Sequence, residues 1–178
     1  MARDGTVMLY APDPDAAWYV RFLQRTIQKV TGSPYTHVAV FCNGITWEST
    51  MWVKGIVIHS GVKMTSGMDE HADVYLNPHR ELTASERNLM LGYLTRMVNY
   101  DRPYNVLKLV TMAITYRLRP SLLPFDAEWL GQVCSTLVDK AYKEAGIDLL
   151  PDEDEGLTAP GDFLKSAFFS PMKTATDN

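Results

Sequence analysis

The chain has 178 residues, enough for one domain with a real core and no need of covalent staples. Its hydrophobic fraction of 46% and charged fraction of 21% are those of a soluble globular domain, and a net charge of −4 with a pI near 5.5 gives no footing for nucleic-acid binding. Two cysteines, Cys42 and Cys134, exclude a disulfide framework and fit a reducing compartment.

The opening Met1-Ala-Arg-Asp-Gly5 runs straight into a strand-like stretch, Thr6 to Ala11, with no secretory signal. Pro12-Asp-Pro14 ends that strand. Asp15 is placed to cap a helix running to about Val30, which Thr31-Gly-Ser-Pro34 closes.

Ser33 to Thr50 is the most informative stretch. Asn43-Gly44 is a strong two-residue hairpin signal, because a type I′ turn needs positive φ at both central positions. The flanks, THVAVFC and ITWEST, are rich in β-branched and aromatic residues. A two-residue turn fixes the register: Cys42 faces Ile45, Phe41 faces Thr46, Val40 faces Trp47 and Ala39 faces Glu48. Side chains alternate with period two, so His37 shares a face with Ala39, and Glu48 becomes its diagonal neighbour. Diagonal Cβ atoms are about 7–8 Å apart or less, within reach of long side chains. Such a pair is either a structural hydrogen bond on a sheet or a general base with its orienting group, and a nucleophile decides between them. Cys42 falls on the opposite face from His37, which removes it as that nucleophile.

Met51 to Gly55 leads to a further strand, Ile56 to Ser60. Residues 61–71 are polar and glycine-bearing and read as a loop. Ala72 to Asn77 reads as another strand, stopped by Pro78. Thr83-Ala-Ser-Glu86 is a capping box opening a helix to about Asn99, with Met90, Tyr93, Leu94, Met97 and Val98 at helical spacing. Tyr104 to about Leu118 reads as a second, mostly apolar helix. The longest apolar run, Val106 to Tyr116, is broken by Lys108 and is too short to span a membrane. Pro120 and Pro124 make a linker-like turn.

The last helix passes through Cys134. Cys134, Leu137, Val138, Ala141 and Ala145 form one apolar stripe, with Asp139, Lys140, Lys143 and Glu144 largely off it and Gly146 at the C-terminal end. If the helix starts near Gln132, the thiol sits in its first turn, where the free N–H groups and the dipole favour a thiolate. An inert core cysteine is the plain alternative. Strands first and helices later argue an α+β fold in one domain, residues 1–170, with 171–178 as a disordered tail. His59, His71 and His79 lack zinc-ligand spacing and no glycine-rich phosphate loop occurs, so neither metal nor cofactor is expected. Lys108, Arg117 and Arg119 read as scattered cations of a helical surface.

His37 in SPYTHVAV, Glu48 in TWES and Cys134 in VCSTLV together resemble the circularly permuted branch of the NlpC-type, papain-like thiol hydrolases. This branch includes YiiX-like proteins and, more distantly, lecithin–retinol acyltransferase. In it the His-bearing strands precede the Cys helix, as here. Asp4-Gly-Thr-Val-Met-Leu9 and Thr158-Ala-Pro-Gly-Asp-Phe-Leu164 extend the resemblance over roughly residues 4–165. It implies a papain-like antiparallel sheet with packed helices, Cys134 as nucleophile, His37 as general base and acid, and Glu48 as the residue orienting the imidazole. Two features depart from it: Ser135-Thr136 after the cysteine, and the helix near residues 15–31, which is expected to narrow the site. The backbone N–H of Cys134 is the expected oxyanion donor, with Tyr35 or Tyr104 as candidates for a second. The expected substrate is a peptide or amide; a lipid ester or thioester handled by the same triad, and a non-catalytic binding module, are the alternatives. The absence of a signal or membrane segment favours a cytoplasmic protein without stable membrane insertion, and oligomeric state stays open.

Overall fold

Asn43 and Gly44 turn the chain back on itself with φ of 54° and 73°, the two positive values a type I′ hairpin needs. The strands on either side are β2 (His37–Cys42) and β3 (Ile45–Lys54), and their register is the one the turn dictates, from Cys42 opposite Ile45 to Ala39 opposite Glu48. The computed structural model describes residues 3–54, 57–98, 102–103, 134–151 and 158–171, with the backbone alone at 19, 23, 30, 51–54, 57–60, 102–103 and 171.

Around this hairpin grows one antiparallel sheet. It adds β1 (Thr6–Tyr10), β4 (Val57–Ser66), β5 (Val74–Pro78), β6 (Arg102–Pro103) and β7 (Phe169–Pro171), in the order β6-β4-β3-β2-β1-β5-β7. Three helices and a 3-10 turn complete the described chain: α1 (Trp18–Thr31), α2 (Ala84–Val98), α3 (Cys134–Glu144) and the turn Pro160–Lys165. The architecture is a mixed α+β one.

The core lies between sheet and helices. Val7 and Leu9 of β1, Val38, Val40 and Cys42 of β2, and Trp47 of β3 pack with Met90, Tyr93 and Leu94 of α2 and Leu137, Val138, Ala141 and Tyr142 of α3. Helix α3 contacts β2 and β3 as well as α2, so it is covered on more than one side. This explains a departure from the expected pattern. Asp139, placed off the apolar stripe by its spacing, is only 3% exposed and pairs with Lys143 at 3.4 Å. Tyr142 donates its hydroxyl proton to the carbonyl of Gly5, tying α3 to the entrance of β1. Gly5 has φ of 87°, and a Cβ there would meet the same hydroxyl.

The capping box forms as the spacing predicts: Thr83 N–H donates to Glu86 Oε2 at 2.7 Å and Glu86 N–H to Thr83 Oγ1 at 3.2 Å. Other boundaries differ. Helix α1 starts at Trp18, and Asp15 does not cap it; the Asp15 N–H instead donates to Asp13 Oδ1 at 2.8 Å in a local turn. Its far end is as expected, with Gly32 at φ 67° donating to the Gln28 carbonyl. The larger correction concerns residues 51–66. Met51 to Lys54 belong to β3, and residues 61–66, expected as loop, belong to β4. Ten residue pairs join these two strands, from Ile45 opposite Ser66 to Lys54 opposite Val57. Pairing with β3 holds extended a sequence whose own strand signal is short, Val62 and Met64 either side of Lys63. The expected helix over 104–118, the cations Lys108, Arg117 and Arg119, the residues just before Cys134 and the tail after Pro171 lie outside the described residues.

Candidate active site

His37 opens β2 directly opposite Tyr10, the last residue of β1. Because the hairpin pairs Ala39 with Glu48, the carboxylate stands diagonal to the imidazole, and the two meet: Glu48 Oε2 lies 2.9 Å from His37 Nε2. That contact occupies one ring nitrogen. The other group bearing on the ring is the Cys134 thiol. Three side chains separated by up to 97 positions in sequence therefore gather at one spot.

The electrostatics follow from this placement. Burial alone would push the His37 pKa down; the thiolate at Cys134, and then Glu48, outweigh it and hold the imidazole protonated. Burial would likewise push the Cys134 thiol up, but the imidazolium of His37 and the backbone N–H groups of Val38 and Ser135 pull it below the usual thiol range. Glu48 is held below its ordinary value, first by its hydrogen bond to His37 and against its own burial, with further help from Lys63. Lys63 stands opposite Glu48 across the β3–β4 pair, its Nζ 3.3 Å from Oε1. Glu48 thus has one oxygen on the imidazole and one on an ammonium.

Cys42 is the internal contrast. It is buried in the core among aliphatic side chains, and burial first, then Asp4, pushes its thiol up to about 12. Alternation along β2 separates it from His37, as the register requires.

Two further residues bear on the imidazole that sequence reasoning did not find. The Tyr10 ring sits 5.4 Å from that of His37 at a 45° tilt. Its hydroxyl donates to Asp69 Oδ2 at 3.0 Å, and burial together with Asp69 raises the phenol pKa far above its usual value. Tyr75 donates to the Asp69 carbonyl at 2.8 Å and steadies the same loop. No tight turn joins β1 to β2, so their register cannot be counted from the sequence. Lys63 is hidden for a related reason, since only the short alternation of Val62 and Met64 marks its stretch as a strand.

Tyr35, a candidate second oxyanion donor, precedes β2, which begins at His37. The alternation that would bring it to the His37 face does not extend to it, and it packs half-buried against the apolar core. Tyr104, the other candidate, lies outside the described residues. The closing Pro160-Gly161-Asp162 docks beside the entrance to β2. A Cβ on Gly161 would run into the Ser33 side chain, so only glycine permits this approach. Asp162 fastens the turn by accepting from the Ala159 N–H at 2.8 Å and from Lys165 at 2.7 Å.

Among the described residues, no group of three or more His, Cys, Asp or Glu side chains converges as a metal site, and no helix is long and apolar enough to cross a membrane. No protein-family model matches the chain, and no curated protein is significantly similar to it. Its fold is similar to a solved structure, the metalloprotein YiiX from Escherichia coli O157:H7, with a TM-score of 0.57 over 97% of each chain at 13% identity.

Proposed function

We propose that this α+β chain is a circularly permuted papain-like thiol hydrolase that cleaves an amide or peptide bond through Cys134, His37 and Glu48. One observation carries the reading: the imidazole of His37 stands between the Cys134 thiol and Glu48 and interacts with both. A cysteine that is merely packing material does not need a charged imidazole beside it. The likeness in fold to YiiX supports the YiiX-like part of this reading.

In this reading the Cys134 thiolate attacks the acyl carbon, forming the C–S bond and leaving charge on the carbonyl oxygen. The Cys134 backbone N–H is the donor proposed to hold that oxygen. The His37 imidazolium gives its proton to the leaving amine as the C–N bond breaks. Neutral His37 then takes a proton from water, whose oxygen attacks the thioester and frees the acid and the thiol. Glu48 keeps the ring facing the sulfur and stabilises its charge at each imidazolium stage. YiiX is described as a metalloprotein, which raises a metal for this chain too. The described donors do not gather into a set that fits one, so no step is routed through a metal.

The test is alkylation. At neutral pH, iodoacetamide should label Cys134 stoichiometrically and faster than a free cysteine, and His37→Ala should abolish the excess rate. A Cys134 that labels no faster than free cysteine removes the hydrolase reading.

A further inference from the structure

Helix α1 carries a surface the candidate site does not use. Trp18 and Phe22 are 76% and 70% exposed, unusual for side chains of this size. They are four residues apart, hence neighbours one turn up the same face. Arg21, Arg25 and Lys29 are exposed as well. At about 100° per residue, these five side chains fall within an arc of roughly 100°. None of the three cations takes part in an ion pair among the described residues; Arg21 reaches only the Pro14 carbonyl, at 3.5 Å.

Charge makes the face stand out. The helix sequence WYVRFLQRTIQKVT contains no acidic residue and carries +3, whereas the whole chain carries −4, so everything outside the helix carries −7. A protein that is acidic elsewhere has gathered cations and exposed aromatics on one ridge.

We propose that α1 is a docking ridge for an anionic lipid surface, to which the protein adsorbs without crossing the bilayer. Trp and Phe rings settle at the headgroup level, and interleaved Arg and Lys side chains pair with lipid phosphates. The five side chains are exposed along a single helix. A single nucleic-acid strand calls instead for a basic groove that follows its backbone. The −7 on the remainder of the chain turns the other faces away from the same surface and so fixes the orientation. Helix α1 ends at Thr31, six residues before His37, so adsorption brings the His37 end of β2 to the lipid boundary. The inference stands apart from the hydrolase reading, because adsorption needs no thiol.

The experiment is co-sedimentation of the full chain with phosphatidylcholine vesicles, with and without about 30% phosphatidylglycerol. Binding is expected to the anionic vesicles alone, and to be lost as salt rises from roughly 0.1 M to 0.5 M. Arg21→Gln/Arg25→Gln/Lys29→Gln should weaken it on the order of 100-fold, taking about 1 kcal/mol per cation near an anionic surface. Trp18→Ala/Phe22→Ala should weaken it at least about tenfold, and Cys134→Ser should leave it unchanged. Both multiple variants should melt as the wild type does, because the replaced side chains are exposed. If one melts early, wild-type binding to neutral against anionic vesicles, with its salt series, decides between the outcomes. Equal partition into neutral and anionic vesicles overturns the proposal. So does wild-type affinity in stable forms of both variants, or binding to an oligothymidylate strand with none to vesicles.

Discussion

Glu48 and His37 are eleven residues apart and meet at 2.9 Å because a two-residue turn leaves no freedom in how their strands align. The contact lies on the diagonal of the ladder, where a long carboxylate side chain can reach a ring. Shifting either strand by one residue would send the two groups to opposite faces. Asn43-Gly44 is thus part of the site, although neither residue touches the thiol.

Glu48→Gln keeps the shape and removes the charge. The imidazolium loses its counter-charge, so the His37 pKa falls. The pH range in which both are ionised is cut back at its alkaline end. Alkylation of Cys134 at neutral pH should slow by about 10- to 100-fold, the worth of a hydrogen bond to a charged group. A variant that reacts like the wild type would mean Glu48 does not tune the ring. Replacing Lys63 is expected to matter far less, because its ammonium is mostly exposed and such pairs contribute about 0–1 kcal/mol.

Much of this pairing was legible in the chain itself. The β2–β3 register followed from one dipeptide, and the Thr83–Glu86 box from a four-residue pattern, because both are local. What escaped reading was what partners impose. Gly61 to Ser66 has only a short alternation, Val62 and Met64 either side of Lys63, and becomes a strand by lying along β3. Asp139 sits at a polar helical position and is buried because α3 is covered by both α2 and the sheet. Tyr10 reaches His37 through a β1–β2 register that no short turn fixes. The placement of Cys134 beside His37 depends on tertiary packing, and a resemblance suggested it where spacing alone could not.

Tyr10 and Asp69 form a buttress behind the imidazole, and their effect should be coupled. Tyr10→Phe retains the ring against His37 but releases the carboxylate. Cys134 alkylation should fall about two- to fivefold, within the range of one hydrogen bond. Asp69→Asn should do the same, and the double variant should add little, since both break one link. Tyr10→Ala removes the ring as well and should cost more in both rate and melting temperature. Additive losses in the double variant would show that the two residues act separately.

Gly161 and Ser33 test the docking of the closing segment at the entrance to β2. Gly161→Ala forces a methyl into the Ser33 side chain and should destabilise the fold by about 1–3 kcal/mol. Ser33→Ala should not relieve it, because the Ser33 Cβ also lies in the way. Ser33→Gly should, so Gly161→Ala should cost less in that background than in the wild type. Urea unfolding of the four proteins measures the coupling. An equal cost in both backgrounds would place the strain elsewhere.

The ion pair itself has a signature in stability. When the chain folds near neutrality, the thiol loses a proton and the imidazole gains one, so no net proton is exchanged. Taken separately, the lowered Cys134 pKa contributes stability that is present above the unfolded thiol value and lost as pH falls through the folded one. The raised His37 pKa contributes stability that is present below the unfolded imidazole value and lost as pH rises through the folded one. Between the unfolded values, about 6.5 for imidazole and about 8.5 for thiol, the two slopes cancel. Below that window the unfolded chain binds one proton more than the folded chain, so stability falls with falling pH. Above it the unfolded chain binds one fewer, so stability falls with rising pH. The difference in unfolding free energy between wild type and Cys134→Ser should therefore be flat from about pH 6.5 to 8.5 and should decline on both sides. A neutral thiol–imidazole pair would instead leave that difference without an acid-side decline, and the ionised form of the site would have to be given up.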